Sequence, residues 1–207
     1  MIDYHLPLGI VAGAMQVGSA VPYIHSMVRG STRPNIVSQI LWALLTAIAF
    51  SAQLSAGASW SILILGALMF NMIIIATLAM SGYGYNKYTS LDFACLGLAV
   101  AAIILWYLTA EPVLAIVLSV TASVLSAIPT FVKTYRDPHT ELALAWGIAV
   151  VAAVLSLLSS TKWNIENLIF PTYLLIEALS IWSLAFFGQR VRRSSEVSSG
   201  PLPPAGP

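Results

Sequence analysis

Residues 60–80 of the chain read WSILILGALMFNMIIIATLAM, a run without a charged side chain. A helix needs about 20 predominantly apolar residues to cross the hydrocarbon core of a bilayer, and this run supplies them. The whole chain follows the same pattern, since 58% of its residues are hydrophobic and 8% are charged. Ordinary soluble domains carry roughly 25% charged residues. The composition therefore predicts an integral membrane protein that crosses the bilayer as helices.

Seven such runs follow one another, which predicts an all-α polytopic fold with seven transmembrane helices. We place the helices at residues 6–28, 36–55, 60–80, 91–109, 112–131, 142–159 and 168–187. A signal peptide would begin with basic residues, whereas residues 1–5 contain neither lysine nor arginine. We therefore interpret the first run as a helix that stays in the protein. Cys95 is the single cysteine of the sequence, so an internal disulfide is excluded.

Lysines and arginines are distributed unevenly between the two sides of the predicted membrane. If the N-terminus lies outside, the outer loops hold only Lys162. The cytoplasmic side then holds Arg29, Arg33, Lys87, Lys133, Arg136, Arg190, Arg192 and Arg193. Basic residues near helix ends favour the cytoplasmic side and set the orientation. The sequence thus predicts a protein of the plasma or inner membrane, with its N-terminus outside and its C-terminus in the cytoplasm.

A short motif occurs twice at a constant spacing. Residues 19–22 read Ser-Ala-Val-Pro and residues 126–129 read Ser-Ala-Ile-Pro, each near the cytoplasmic end of an apolar run. An arginine follows seven residues after each proline, so Arg29 and Arg136 keep the same spacing of 107. Self-similarity at a fixed spacing predicts two copies of one structural unit.

Each copy contains three helices, so a second copy joined directly would enter the membrane upside down. The fourth run restores the orientation, and the halves become parallel about an axis along the membrane normal. The result is a 3+1+3 plan of two three-helix bundles and a linker helix. Its parts are the first bundle at 1–85, the linker at 86–111, the second bundle at 112–188 and a disordered cytoplasmic tail at 189–207.

Two polar residues interrupt the third and seventh runs near mid-membrane. Asn71 and Glu177 are 106 residues apart, within one residue of the repeat spacing, so they occupy nearly equivalent places in the two halves. An ionisable side chain at this depth costs about 2.5–3.5 kcal/mol on insertion scales and is usually functional. Transporters built from repeats bind substrate at mid-membrane. We predict that Asn71 and Glu177 bind substrate, and Glu177 is also the candidate for proton coupling; the alternative is a structural hydrogen bond between helices.

Four further residues are candidates for the same site. Gln16 and Ser123, again 107 apart, could widen the polar region. Trp42 and Trp146 lie on the second and sixth runs, and a tryptophan ring can stack on a sugar or another planar ligand. A packing role for either tryptophan remains open.

Pro22 and Pro129 fall inside the first and fifth runs. A proline within a helix removes one backbone hydrogen bond and kinks the helix. Neighbouring helices could satisfy the freed carbonyl in a static kink. Because the two prolines occupy equivalent places in the repeat, we favour a pair of hinges.

The second copy of the motif resembles a known family. Residues 126–133, Ser-Ala-Ile-Pro-Thr-Phe-Val-Lys, followed by Thr140 and Glu141, resemble the second-repeat signature of the SWEET sugar facilitators. That signature reads Ser-Pro-Val-Pro-Thr-Phe and reaches Thr-Glu at the same distance. The 3+1+3 plan, the outside N-terminus and Asn71 on the third helix also resemble this family and the wider PQ-loop group. The resemblance covers about residues 6–187.

The resemblance implies a transporter whose halves rock between inward-open and outward-open states. In SWEET proteins an asparagine on the third helix and another on the seventh hold the substrate. Asn71 matches the first of these, and Glu177 stands in the place of the second. Pro22 and Pro129 match the family's prolines on helices one and five, whereas helices two and six lack the corresponding prolines.

Several departures from the family concern the substrate. Neither Trp42 nor Trp146 aligns securely with the family's site aromatics. The Pro-Gln dipeptide of the lysosomal branch is replaced by Pro-Tyr at 22–23 and Pro-Thr at 129–130. Sugar is therefore the default that the resemblance implies, while a carboxylate at Glu177 also suits an amine, a vitamin or proton coupling.

These observations favour a SWEET-like carrier that moves a small polar solute, sugar by default, by alternating access. One alternative is a proton-coupled carrier of a vitamin, nucleoside or amino compound, of the PQ-loop or nicotinamide riboside type. An alternative of another class is a seven-helix ligand sensor. A retinal protein is excluded because the only lysines, Lys87, Lys133 and Lys162, lie in loops.

The sequence predicts no enzyme, because it contains neither a His-Glu-x-x-His metal motif nor a Gly-x-Ser-x-Gly elbow. We expect no cofactor and no metal site. The expected partners are the lipid bilayer and a small-molecule substrate, and no basic cluster points to nucleic acid. A monomer could suffice since one chain holds both repeats, and a homo-oligomer is compatible with the sequence.

Overall fold

The computed structural model describes residues 4–30, 34, 36–84 and 90–199, which fold into seven α-helices. The helices are α1 (His5–Val28), α2 (Ile36–Ser55), α3 (Ile62–Leu78), α4 (Ser90–Thr109), α5 (Pro112–Arg136), α6 (Ala143–Leu158) and α7 (Ile165–Ser199). A π-helical turn, Ala79–Tyr83, extends α3, and a 3-10 turn, Pro138–Thr140, precedes α6. The predicted all-helical class is confirmed. Arg33, Lys87 and the predicted boundary at 85/86 lie outside the described residues.

Five of the helices, α1, α3, α4, α5 and α7, are long and apolar enough to cross a membrane. The apolar parts of the other two, Gln39–Ser55 and Ala143–Leu158, are shorter. Large aliphatic and aromatic side chains project outward along the helices, among them Ile10, Phe70 and Ile176. Exposing such surface to water costs about 25 cal/mol per Å², so these faces are suited to lipid.

The interior is lined mainly by small side chains. Alanines from every helix are buried, and Ala12, Ala49, Ala122 and Ala152 are fully so. Lipid tails are as apolar as leucine, so helices in a membrane associate through close packing instead of exclusion from water. Small residues permit that close approach of the backbones.

The helix contacts repeat between the first and last three helices. Helix α3 packs extensively on α1 and α2, and α7 packs in the same way on α5 and α6. Contacts between the two groups also come in equivalent pairs, because α1 packs on α6 while α2 packs on α5. Together these contacts run in the order α1, α3, α2, α5, α7, α6 and back to α1. Helix α4 lies outside this series, against α5 and α2.

Close contact between α1 and α3 depends on a glycine. A Cβ atom added at Gly9 would lie 2.8 Å from the main-chain oxygen of Trp60, whereas one added at Gly18 would meet nothing within 4 Å. We expect Gly9→Ala to lower stability by about 1–3 kcal/mol, because the helices must separate to relieve the overlap. Thermal unfolding in detergent measures the change.

Gly18→Ala on the same helix is the matched control. It should be neutral or stabilising, since alanine favours helix over glycine by about 0.8–1.0 kcal/mol. Equal melting temperatures for the two variants would contradict this account of the α1–α3 contact.

Helix α7 extends beyond the predicted last span. Residues 189–199 are helical where the sequence analysis expected a disordered tail, and residues 200–207 lie outside the described part of the chain. No glycine or proline occurs between Gly188 and Gly200, so the backbone can continue as a helix. The Arg190 guanidinium lies 4.1 Å from the ring centroid of Phe186, one turn earlier. This contact supports the first part of the extension.

Candidate functional site

The structure brings Gln16 and Asn71 together. The side-chain amide of Asn71 donates a hydrogen bond to the main-chain oxygen of Gln16, with an N···O distance of 2.7 Å. The Ser19 hydroxyl donates to the same oxygen, also at 2.7 Å. Gln16 is 7% exposed and Asn71 is 2% exposed. This pair therefore links α1 to α3 deep in the protein, and part of the hydrogen-bonding capacity of Asn71 is used by the backbone.

Ser123 and Glu177 are brought together by a residue between them, Tyr173. Tyr173 lies close enough to interact with two polar side chains, the Glu177 carboxyl group one turn later on α7 and the Ser123 hydroxyl on α5. Ser123 is 4% exposed, whereas Tyr173 and Glu177 are both partly exposed. These three polar side chains therefore form one group between α5 and α7.

The two contacts fall at positions that the sequence repeat pairs. Gln16 corresponds to Ser123 and Asn71 corresponds to Glu177, so a polar contact between the first and third helices recurs between the fifth and seventh. The halves differ chemically, because an amide in one is replaced by a carboxylate in the other. Tyr173 increases the difference, since Gly66 or Ala67 occupies its place in the first half.

Trp42 on α2 and Trp146 on α6 take part in neither of these two polar contacts. Trp42 packs against a buried cluster formed by α2, α4 and α5, and its indole N–H finds no hydrogen-bond partner among the described residues. Trp146 is partly buried, and its indole N–H donates to the Glu141 carboxylate at 3.0 Å. Trp42 thus contacts packing residues, and Trp146 contacts the segment just before its own helix.

Both predicted hinge prolines lie within continuous helices. Helix α1 runs through Pro22, and α5 runs through residue 129, whose side chain lies outside the described set. Their action as hinges stays a prediction. A third proline, Pro171, lies inside α7 and is fully buried.

An apolar cluster fills the space between α2, α3, α6 and α7 on one side of Glu177. We call it the apolar plug; its buried members are Ala49, Ile64, Leu65, Ala152, Ala153, Phe170 and Leu174. Tyr173 packs against the plug, and its ring meets Phe170 edge to face with centroids 5.6 Å apart. Tyr173 therefore lies at the boundary between the plug and the polar group of Glu177.

Beyond the plug, hydrogen bonds join the α2–α3 loop region to the start of α7. Asn167, fully buried, is their centre: its side-chain oxygen accepts from the Ser59 main-chain N–H at 2.7 Å and from the Gln53 amide at 3.3 Å. Two more bonds join the same loop regions, from the Thr161 N–H to the Ser59 hydroxyl and from the Lys162 ammonium to the Gly57 carbonyl. We call Gln53, Gly57, Ser59, Ser61, Thr161, Lys162 and Asn167 the polar seal.

Pro171 explains one bond of the seal. A proline has no N–H, so the carbonyl four residues earlier in the helix loses its usual donor. That carbonyl belongs to Asn167, and it accepts a hydrogen bond from the Ser61 hydroxyl at 3.2 Å. The proline in α7 thus provides an acceptor for α3 in the other half of the chain.

Two residues of this region, Tyr173 and Asn167, were missed by sequence reasoning. Tyr173 precedes Glu177 by four residues and therefore shares its helix face. Asn167 precedes Pro171 by four, which identifies the carbonyl that the proline frees. Both spacings are visible in the sequence, but neither indicates which residue of another helix supplies the contact.

Two shallow clefts lie at the protein surface, one of them beside the start of α7. One is lined by Trp163, Asn164, Ile165, Leu168, Ile169 and Thr172, the other by Ser55, Ile103, Trp106, Tyr107, Ala110 and Pro112. Neither cleft includes any of the substrate-binding candidates. The candidate site is therefore defined by the buried polar contacts between helices.

Comparison with protein-family models, with curated proteins and with solved structures finds no match for this chain. The chemistry of the site must accordingly be judged from its own residues. Glu177 and Tyr173 follow the apolar plug and the polar seal along α7, and a neutral contact joins Asn71 to Gln16 within the first three helices. A carboxyl group can form hydrogen bonds with polar groups and can exchange a proton.

Proposed function

We propose that the chain is a SWEET-like membrane carrier that moves a small polar solute by alternating access through a site at Glu177. In this proposal all seven helices cross the membrane in a 3+1+3 plan, with α4 as linker. The repeated contacts between helices support the plan, since each of those within the first three has its counterpart within the last three. The bilayer and the solute are the partners, and sugar is the solute class that the family resemblance implies.

One observation carries the proposal: repeat-equivalent polar contacts at mid-helix, Gln16 with Asn71 and Ser123 with Glu177 through Tyr173. A structural protein gains little from an acid at this depth, because interhelical hydrogen bonds in membranes average about 0.6 kcal/mol. A carrier needs polar groups between its halves, at the depth where both sides can reach them.

The polar seal and the apolar plug support a closed state on one side. Along α7 the order is Asn167, Phe170, Leu174 and Glu177, so seal and plug both precede the acid. With the N-terminus outside, this closed end faces out, and the conformation is occluded toward the exterior. Opening requires the hydrogen bonds between the two loop regions to break.

Uptake into proteoliposomes tests the carrier. Wild-type protein should accumulate at least one solute from a panel of sugars, amines, amino acids and vitamins faster than empty liposomes do. Glu177→Gln should slow that uptake roughly tenfold or more, because a hydrogen bond to a charged group contributes about 1.5–3 kcal/mol. Glu111→Gln, at an exposed position between α4 and α5, is the control and should be silent. Uptake no faster than in empty liposomes for the whole panel would reject the carrier.

The proposed orientation has a separate test in a Cys95→Ala background. Trp163 and Tyr135 are 74% and 76% exposed and lie at opposite ends of the helices. A membrane-impermeant maleimide should label Trp163→Cys in intact cells and Tyr135→Cys only after the cells are permeabilised. The reverse pattern would show that the N-terminus lies in the cytoplasm.

A further inference from the structure

The side chains beside Glu177 on α5 and α7 are hydroxyl groups, which carry no positive charge. Tyr173 lies one turn before Glu177 on α7, and Ser123 on α5 lies close to Tyr173. A carboxylate has about four lone-pair sites, so one bond from a phenol leaves most of its accepting capacity unused. The Glu177 carboxylate can therefore accept further hydrogen bonds.

No basic side chain of the sequence lies near mid-membrane to balance this acid. The lysines and arginines fall in loops or near helix ends, and the nearest one along α7 is Arg190, 13 residues or about 20 Å away. Arg190 also lies over the Phe186 ring. In the other half, the equivalent of Glu177 is the neutral Asn71. The sequence therefore places no basic side chain at the depth of Glu177 that could pair with its ionised form.

The candidate residues differ in how far they are exposed. Asn71, Gln16 and Ser123 are all more than nine-tenths buried, whereas Glu177 and Tyr173 are partly exposed. Of the polar residues in this group, Glu177 and Tyr173 are thus the ones that are not fully enclosed by the helices. Carboxylates pair with cations, and aromatic faces attract ammonium groups more strongly than neutral ones. A sugar hydroxyl has no comparable preference for this combination.

We propose that the solute bound at this site carries an ammonium group, which pairs with Glu177 and packs against Tyr173. The inference rests on the proposed carrier function and names the class of its substrate. Tyr173 then acts as a positioning residue that holds the carboxylate toward the bound cation.

Carbodiimide labelling tests occupancy of the site without requiring transport. Dicyclohexylcarbodiimide is apolar and modifies carboxyl groups within membranes, and Glu177→Gln gives the background for the labelled peptide. The probes are methylammonium and two pairs that differ in an ammonium group: choline with 3,3-dimethylbutan-1-ol, and glucosamine with glucose. At least one ammonium probe should slow labelling of Glu177 fivefold or more, while the neutral members leave the rate unchanged.

Tyr173→Phe separates positioning from folding. This variant should fold with an unchanged melting profile and label at Glu177, yet need at least a fivefold higher concentration of the protecting ammonium probe. Tyr107→Phe, at an 87% exposed position on α4, should behave as wild type. Equal protection in Tyr173→Phe and wild type would remove Tyr173 from the proposal.

The outcomes distinguish the inference from the carrier function. Equal protection by a neutral member and its charged partner, or protection by none of the ammonium probes, overturns the inference. If uptake of a neutral solute still depends on Glu177, the carrier function is retained and the ammonium inference is rejected. Protection by ammonium probes with no uptake of any solute keeps the binding site and rejects the carrier in favour of a ligand sensor.

Discussion

Asn167→Ala is expected to destabilise the protein by about 2–4 kcal/mol and to open the polar seal. The change removes the acceptor of the Ser59 main-chain N–H and of the Gln53 side-chain amide, and these two residues are 5% and 1% exposed. Each buried donor left without a partner costs about 1–3 kcal/mol. Gln53 would then have no hydrogen-bonded side-chain atom left, because its side-chain oxygen already lacks a partner within the described residues. The melting temperature in detergent should fall by roughly 5–15 °C.

Asn164→Ala is the matched control for this change. Asn164 is exposed and accepts one hydrogen bond, from the Asn167 amide at 2.7 Å. Its replacement should cost less than half as much. An equal loss in both variants would mean that Asn167 does not hold the two loop regions together.

The opening of the seal has its own measurement. Ile64 belongs to the apolar plug and is 1% exposed, so a cysteine placed there in a Cys95→Ala background should resist a membrane-impermeant maleimide. Adding Asn167→Ala should speed that reaction at least severalfold. An unchanged rate, in a variant that is destabilised, would show that the seal contributes stability but does not control access.

Phe170→Ala is expected to have the largest effect on stability, about 3–5 kcal/mol. Phe170 is 1% exposed within the apolar plug, and truncation of a buried phenylalanine leaves a cavity whose lining loses its contacts. The edge-to-face contact with Tyr173 is lost as well. Chemical or thermal unfolding measures the loss.

Phe70→Ala provides the comparison for Phe170. Phe70 lies on α3 with 53% of its surface exposed, on a face suited to lipid. Its truncation leaves no internal cavity and should cost less than 1 kcal/mol. Comparable losses for the two phenylalanines would mean that the plug is not closely packed.

The helices could be predicted closely because their cause is local. Partition into a bilayer depends on about 20 consecutive residues, and the run at 36–55 coincides with α2. Helix ends were less accurate, since α5 continues to Arg136 and α7 begins at Ile165. Polar residues beyond the hydrocarbon core can still continue a helix, so hydropathy alone does not mark where it ends.

The helices that carry the candidate residues could be paired from the sequence, while the role of the site stays a prediction. The repeat spacing pairs Gln16 with Ser123 and Asn71 with Glu177, and the contacts between the helices that carry them agree with that pairing. The same spacing does not predict the side-chain rotamers of these residues. The direction of the Asn71 amide, toward the α1 backbone, depends on how closely α1 and α3 approach.

The amino-acid sequence by itself determined the apolar helices, the repeat and the position of one acid far from any lysine or arginine, because each of these is a property of residue order. Only the tertiary structure decided that Tyr173 joins Ser123 to Glu177 and that Asn167 holds two distant loops. The contacts of Tyr173 with Ser123 and of Asn167 with Gln53 join residues 50 and 114 positions apart. Helix packing chooses such partners through the shapes of whole helix faces, which no local pattern encodes.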